Sequence, residues 1–327
     1  MATPSDEMKT KLTWRRFEDG EDQWDSFTDK IFREDTSHKC PTYVHKTPPC
    51  QGSCPSGDDI RGWLAIVRGQ EKPAGDMSWQ DYAFRRSTEA NPFPSMMGRV
   101  CPAPCQDGCN RNEVEDFVGI NAVEQYIGDT ALENNYQFEA GPDTGKRVAV
   151  IGGGPAGMAA TFQLRRKGHS VAVFESQPEL GGMMRYGIPN YRIPRDKLAG
   201  EIQRIVDMGK VEVHTDTRVG EDITVEDLER DYDAILWAVG CWTGRGLPVP
   251  GWDDTPNCVS GVAFRKAFNE GRLMVTAGRG VCVGGGDPSI VGVCVARRLG
   301  HIERTNASDR RVLGVQGGGV ARDSASA

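Results

Sequence analysis

With 327 residues and a formal net charge of -7, the chain is long enough for two or three domains with cores of their own, and its acidic balance excludes nucleic acid or an anionic membrane as the main partner. No apolar run reaches membrane-spanning length, and the opening MATPSDEMKTKLTWRRFEDGED has no signal-peptide core. A cytoplasmic setting is therefore expected, with the 10 cysteines serving as reduced thiols or metal ligands rather than structural disulfides.

Residues 1–36 are charged and carry Trp24, Phe27, Ile31 and Phe32 at helical spacing, which reads as an amphipathic arm packed on its own domain. From 37 to 142 no strand pattern occurs. Ser56 or Asp58 is placed to cap a helix through Ile60, Trp63, Leu64 and Val67 that stops near Gly69; a second runs from Trp79 to Arg86, and NPFP at 91–94 breaks it. A small, loop-rich helical domain of this kind has little apolar surface and is where a metal centre would contribute most to stability. Six cysteines lie between Cys40 and Cys109, including Cys50-x3-Cys54 and Cys101-x3-Cys105-x3-Cys109, with prolines at 102 and 104 turning the chain back so that sulfurs can converge. Thiolates at this spacing suit soft metals, and the absence of the close C-x2-C pairs of zinc sites favours iron–sulfur clusters. Two clusters need eight ligands, so two remain to be found. The other cysteines, Cys241, Cys258, Cys282 and Cys294, have apolar neighbours and read as small core residues.

The segment from Lys146 to Glu175 organises the rest. Val148 to Ile151 is a β-branched strand that stops at Gly152, and Gly152, Gly154 and Gly157 then fall in G-x-G-x-x-G spacing, with Pro155 and Ala156 opening a helix. The first glycine permits the turn, the second lets a pyrophosphate approach the backbone, and the third lets helix and strand pack closely, with the phosphate on the helix N-terminus. A second strand, Val171 to Phe174, ends at Glu175, which is spaced to hold a ribose hydroxyl. In LGGMMRYGIP, Gly181 and Gly182, followed by Met183 and Arg185, let backbone amides approach a flavin and its phosphates; Arg192 and Lys197 on the next helix read as solvated face. Asp233 to Gly240 is an apolar strand ending in glycine. A second fingerprint, RGVCVGGGDPS, has a strand at Val281 to Val283, Gly284 and Gly286, then Asp287 and Pro288 in a first helical turn, with Ser289 where a third small residue belongs. Two such units fit FAD in the first and a nicotinamide dinucleotide, NADH or NADPH, in the second. After Gly300 the chain is polar and rich in Gly, Ser and Ala, with no clear second strand and no basic reader of a 2'-phosphate.

The strings KCPTYVHKTPPCQGSCPSGDDIRGWL, NPFPSMMGRVCPAPCQDGCN, VGINAVEQYIGD and KRVAVIGGGPAGMAA, in that order, resemble the small (beta) subunit of glutamate synthase and its relatives, the iron–sulfur flavin oxidoreductases. The nearest likeness is to the branch that works with dissimilatory sulfite reductase in sulfur-oxidising bacteria. The resemblance implies a helical N-terminal domain holding two [4Fe-4S] clusters, followed by an α/β Rossmann-like FAD domain into which an NAD(P)H domain is inserted. It divides the chain into the arm at 1–36, a helical cluster domain at 37–142, an FAD domain at 143–250, a partial NAD(P)H domain at 251–300 and a polar tail at 301–327, with a C-terminus expected to be shortened. It also implies that Cys54, Cys101, Cys105 and, as a non-cysteine fourth ligand, Glu124 hold the cluster nearer the flavin. The outer cluster would use Cys40, Cys50 and Cys109, with His45 where the family has a cysteine. Hydride would pass from NAD(P)H to the flavin, and single electrons through the clusters to or from a partner enzyme. That partner would be the sulfite reductase or, alternatively, the glutamate synthase large subunit; a homodimer is compatible, and a non-catalytic cluster-bearing docking subunit is the third reading. No general acid or base is required for the hydride step, and none is nominated.

Overall fold

The computed structural model describes residues 47–244, 246–247, 249–252, 254–256, 258–273 and 279–299, and the backbone strands at 303–307 and 312–315. The arm, Cys40 and His45 lie outside these residues.

The first unit is helical: α1 Pro49–Ser53, α2 Ile60–Val67, α3 Trp79–Ser87, α4 Pro94–Val100, α5 Pro104–Asp107 and α6 Ile120–Glu133. The cap of α2 is Asp59, whose side chain accepts from Gly62 N at 3.2 Å, rather than Ser56 or Asp58. Asp58 points inward instead and accepts from Trp63 Nε1 at 3.1 Å. The α3 helix is capped by Ser78, which accepts from Asp81 N. The α3 helix already ends at Ser87, ahead of NPFP, and that stretch starts α4, because Pro94 occupies a first-turn position where a missing N–H costs nothing. Trp63, Phe84, Ile120 and Ile127 centre the core of this unit. The α4 and α6 helices cross with their backbones in contact. A Cβ on Gly98 would strike Gln125 N, and one on Gly128 would strike Ser95 N.

The second unit is a parallel sheet in the order β3-β2-β1-β4, with β1 Arg147–Ile151, β2 Ser170–Phe174, β3 Val211–His214 and β4 Ala234–Trp237. The β1 and β2 strands are central and buried along Val148–Ile151 and Val171–Phe174, as strands covered on both faces must be. They are joined by α7 Pro155–Arg166; α8 Gly182–Tyr186 and α9 Arg195–Val206 lie between β2 and β3, and α10 Val225–Asp231 precedes β4. Phe93 and Met96 of the helical unit sit in one core with Val150, Phe162, Val173 and Ile202, so the helical unit and the sheet share apolar packing. Lys197 is not solvated face: it is three-quarters buried and lies 3.3 Å from Asp129 of α6.

Beyond β4, α11 Gly261–Asn269 and α12 Asp287–Arg298 accompany a second sheet in the order β5-β6-β7. Its β5 strand, Arg279–Val283, pairs in parallel with β6 Glu303–Ala307, which pairs antiparallel with β7 Val312–Val315. A strand after Gly300 was not expected. ERTNA has no alternation of apolar residues, and ladder hydrogen bonds rather than a side-chain pattern define it. The α12 helix buries Val291, Val293 and Val295, while Val281 is 71% and Val283 47% exposed. The cysteines expected in cores are not there: Cys241 and Cys258 are exposed, and Cys282 and Cys294 half-buried. Cys241 and Cys258 fall in loops beyond β4, where an apolar neighbour in sequence brings no packed neighbour in space.

Candidate functional site

At the C-terminal end of β1 the chain reverses at Gly152, φ +110°, with Ala238 O standing where a Cβ would be; only glycine takes this turn without strain. Gly157 is a packing glycine, since a Cβ there would strike Gly152 O. Gly154 differs from both. It is the N-cap of α7, ahead of Pro155, and its Cβ would meet nothing nearer than Gly182 Cα at 3.7 Å. The protein has room for a side chain at this point; what glycine leaves open is the space over the helix N-terminus, where a phosphate is favoured. Gly182 closes the other side, and a Cβ on it would come within 2.6 Å of Gly154 Cα.

Glu175 directly follows β2 and is 5% exposed. Its Oε2 accepts from Gly153 N at 2.7 Å and its Oε1 from Gln177 N at 2.8 Å. The carboxylate is thus oriented by the turn it serves, and with about four lone-pair sites it retains capacity to accept from a hydroxyl. Gly152, Gly154, Pro155, Ala156, Glu175, Gly182, Met183 and Gly240 all line one groove. Gly181 sits behind it, against Leu198 and Ile202 of α9. Arg185 does not reach the groove: its guanidinium donates to Leu180 O at 2.6 Å and to Glu179 Oε1 at 3.0 Å and so braces the loop. Sequence reasoning missed Thr217 and Arg218, which line the groove from beyond β3, and Trp237 and Trp242 on its β4 side. The available signal was the rule that ligands lie outside the carboxyl ends of parallel strands, but β3, VEVH, is too short and polar to stand out. These residues fit a dinucleotide: a glycine cradle at a helix N-terminus with an acid at the end of the next strand.

The second turn repeats the first in outline. Gly284 has φ +129°, Gly286 is the N-cap of α12, Asp287 lies in its first turn, and Ser289 packs its Oγ against the position of a Gly284 Cβ. Ser289 fills the place of the third small residue, as its spacing suggests.

In the helical unit, Cys54 is the C-cap of α1, Cys101 the C-cap of α4, and Cys105 lies buried in α5. Between the last two, Ala103 adopts a left-handed conformation, φ 56° and ψ 51°, which folds Pro102-Ala103-Pro104 back on itself. A non-glycine residue there costs about 1–2 kcal/mol, so the reversal is held by its surroundings: Asn121 Nδ2 donates to Cys101 O at 2.9 Å, and Gln106 Oε1 accepts from Asn121 N at 2.9 Å. Gly108 lets α1 approach α5, its missing side chain leaving room for Ser53 Oγ.

The thiols fall into two electrostatic neighbourhoods. Burial pushes Cys101 up and Cys105 up to about 11; Cys54 and Glu124 add repulsion to both, and Cys101 to Cys105. Burial also raises Cys50, and there the neighbouring thiol is Cys109. Glu124, 8% exposed on α6, is pushed up to about 7 by burial, opposed by a 2.7 Å bond from Asn91 Nδ2. Among the described residues no three His, Cys, Asp or Glu side chains close around a point that would hold a single ion. The donor set of three thiols and one carboxyl, sharing a neighbourhood but not a single coordination sphere, suits a soft multinuclear centre, and ligation would release the protons that burial favours on Cys101, Cys105 and Glu124. Cys50 and Cys109 stand alone in the second neighbourhood within the described residues.

Comparison with known proteins follows the same division. Residues 24–136 match the family described as dihydropyrimidine dehydrogenase domain II, 4Fe-4S cluster, and residues 146–313, more than half of the chain, match pyridine nucleotide-disulphide oxidoreductase. The chain belongs to this second family. With its N-terminal domain it is a member of the iron–sulfur flavin oxidoreductases that resemble the glutamate synthase small subunit. It is 38% identical over 206 residues to the glutamate synthase [NADPH] small chain of Mycobacterium tuberculosis, covering 62% of this chain and 40% of that one. It is 34% identical over 265 residues to the NADP(+)-dependent formate dehydrogenase subunit beta of Moorella thermoacetica, covering 73% of this chain and 36% of the relative. The NADPH-Fe(3+) oxidoreductase subunit beta of Geobacter sulfurreducens is 34% identical over 296 residues, covering 84% of this chain and 42% of the relative. The chain therefore spans less than half the length of each of these three. Among the described residues no helix is long and apolar enough to cross a membrane.

Proposed function

We propose that this chain is an NAD(P)H-linked oxidoreductase that holds FAD in the Gly152–Gly157 groove and [4Fe-4S] clusters in its helical domain, and exchanges electrons with a partner enzyme. When bound, these groups supply the chemistry: the nicotinamide gives a hydride to the flavin, and the clusters carry its two electrons onward one at a time. The observation that carries the reading is the mutual electrostatic influence of Cys54, Cys101, Cys105 and Glu124, the last two buried and the first two half-buried, in a unit that shares its core with the sheet of the glycine groove.

The chain's own part is binding and orientation. The open face of Gly154 and the N-terminus of α7 take the pyrophosphate, Glu175 takes a ribose hydroxyl, and Gly182 with Met183 lies along the ligand. The Gly284–Ser289 turn takes the nicotinamide dinucleotide's phosphates. Cys54, Cys101, Cys105 and Glu124 ligate the inner cluster; Cys50 and Cys109, with Cys40 and His45, ligate the outer one. For the partner, the glutamate synthase small-chain likeness favours a glutamate synthase-type large subunit over the DsrL-like reading, in which a dissimilatory sulfite reductase takes that place; none of the three relatives above bears a sulfite reductase's name.

Anaerobic purification followed by iron, acid-labile sulfide and flavin analysis tests the cofactors, and dye reduction by NADH and by NADPH tests turnover. Stoichiometric zinc without sulfide, or FMN in place of FAD, would overturn the assignment, and a loaded protein with no dye reduction would make it a docking subunit. Co-purification with tagged large-subunit candidates decides the partner.

A further inference from the structure

The helix α9, Arg195–Val206, carries a glutamate with no solvent exposure at all. Glu201 Oε1 accepts from Ser95 N at 2.7 Å and Oε2 from Met96 N at 3.1 Å. These are first-turn amides of α4, a helix of the other structural unit, so a side chain of the flavin-groove unit ties off a helix of the cysteine-bearing unit. At the far end of α4 is Cys101, whose N–H bonds back to Met97 O at 2.8 Å. The α4 helix is in turn locked to α6, the carrier of Glu124, through the glycine crossing at Gly98 and Gly128 and through Arg99 and Asp129, 2.6 Å apart. The opposite attachment of α9 is to the groove: Leu198 and Ile202 pack on Gly181, with Leu198 Cδ2 and Ile202 Cδ1 each 3.4 Å from the position of a Gly181 Cβ.

Arg204, one turn along, is 4% exposed and lies 4.8 Å over the Phe84 ring and 5.7 Å from that of Phe138. Burial pushes the Glu201 carboxyl up to about 8, against the pull of the two amide bonds and of Arg204. A group so expensive to bury is a poor device for stability alone, because an apolar residue of similar size often does as well. What an apolar residue lacks is direction. Two hydrogen bonds from one carboxylate fix both the spacing and the rotation of α4 relative to α9.

Building on the function proposed above, we infer that Glu201 is a positioning residue for electron transfer, setting the separation between the flavin groove and the inner cluster through α9 on one side and the α4–α6 pair on the other. Two electrons arrive at the flavin as one hydride and leave singly, two cluster reductions per hydride with one proton released to solvent. Each single-electron step depends on that separation, whereas the hydride step does not.

The test uses the full chain, purified anaerobically with its iron, sulfide and FAD. Glu201→Leu removes both acceptors at similar volume, Glu201→Gln keeps one, and Gln203→Ala changes an exposed side chain of the same helix that bonds Asp207 at the helix's own C-terminus. Rapid mixing with NADPH or NADH separates flavin reduction from the later appearance of reduced cluster. The expected result is cluster reduction slowed severalfold in Glu201→Leu, with Glu201→Gln in between, Gln203→Ala unchanged, and flavin reduction and cofactor content unchanged throughout. Independently of turnover, hydrogen exchange in the 93–101 segment should rise roughly tenfold in Glu201→Leu, the equivalent of about one lost hydrogen bond. If Glu201→Leu does not fold, Glu201→Gln carries the same comparison. Cluster reduction at the wild-type rate in the Glu201 variants, or equal slowing in Gln203→Ala, overturns the positioning role and leaves the proposed function standing. A wild-type protein whose flavin is reduced while its cluster never is overturns both.

Discussion

Asp58 and Gly154 show how much one atom's surroundings decide. Asp58 is 4% exposed, and burial first, opposed by the Trp63 bond, pushes its carboxyl from 3.8 up to about 6. Because the folded protein binds the proton more tightly than the unfolded chain, this residue's contribution is most favourable below pH ~4 and is lost as pH rises through ~6. Asp58→Asn cannot ionise, so its stability relative to the parent should improve by roughly 2–3 kcal/mol between pH 4 and pH 8. Denaturant melts at the two pH values measure this, and a constant difference would contradict it. At Gly154, where a Cβ meets nothing closer than 3.7 Å, an aspartate should cost less than about 1 kcal/mol of stability while abolishing FAD retention. Gly157→Ala should do the reverse in kind, destabilising by about 1–3 kcal/mol through its clash with Gly152 O. Thermal melts beside flavin release distinguish the two; a Gly154→Asp protein that unfolds, or that keeps its FAD, would sink the distinction.

Among the elements, the strand–turn–helix from Arg147 to Arg166 was the most legible, because glycine spacing and β-branched runs encode backbone geometry directly. The site was legible to the same depth: eight groove residues follow from that spacing and the later glycines. Other features were not readable. The α2 cap fell on Asp59, one residue past the later of the two expected, because several capping residues close together make the helix start ambiguous until tertiary contacts turn one of them inward. The β6 strand has no side-chain pattern to read. Glu201 and Arg204 look like the polar face of an amphipathic helix, and only the docking of α4 shows them to be interior. The crossing of α4 and α6 yields a prediction of its own. Gly128→Val would force the helices apart at Ser95, costing about 1–3 kcal/mol and lowering iron and sulfide content while FAD is retained; unchanged iron content would contradict the view that this pair carries the inner cluster. Cys101→Ser should remove that cluster whole, since a hydroxyl is a poor soft-metal ligand, and elemental analysis reads the loss.

Over the whole molecule, a cysteine-bearing helical unit and a glycine-cradled sheet share apolar packing and are joined by a buried carboxylate, an arrangement suited to passing electrons between two bound centres. The account stands on both centres being present and connected. The most direct measurement is an anaerobic titration of the purified chain with NADPH and, separately, NADH, following flavin absorbance and cluster paramagnetism in the same sample. The account predicts that at least one of the two nucleotides bleaches the flavin and that a reduced-cluster signal then grows at its expense. A flavin that bleaches completely while the cluster signal never appears, or a sample containing no acid-labile sulfide, would contradict it.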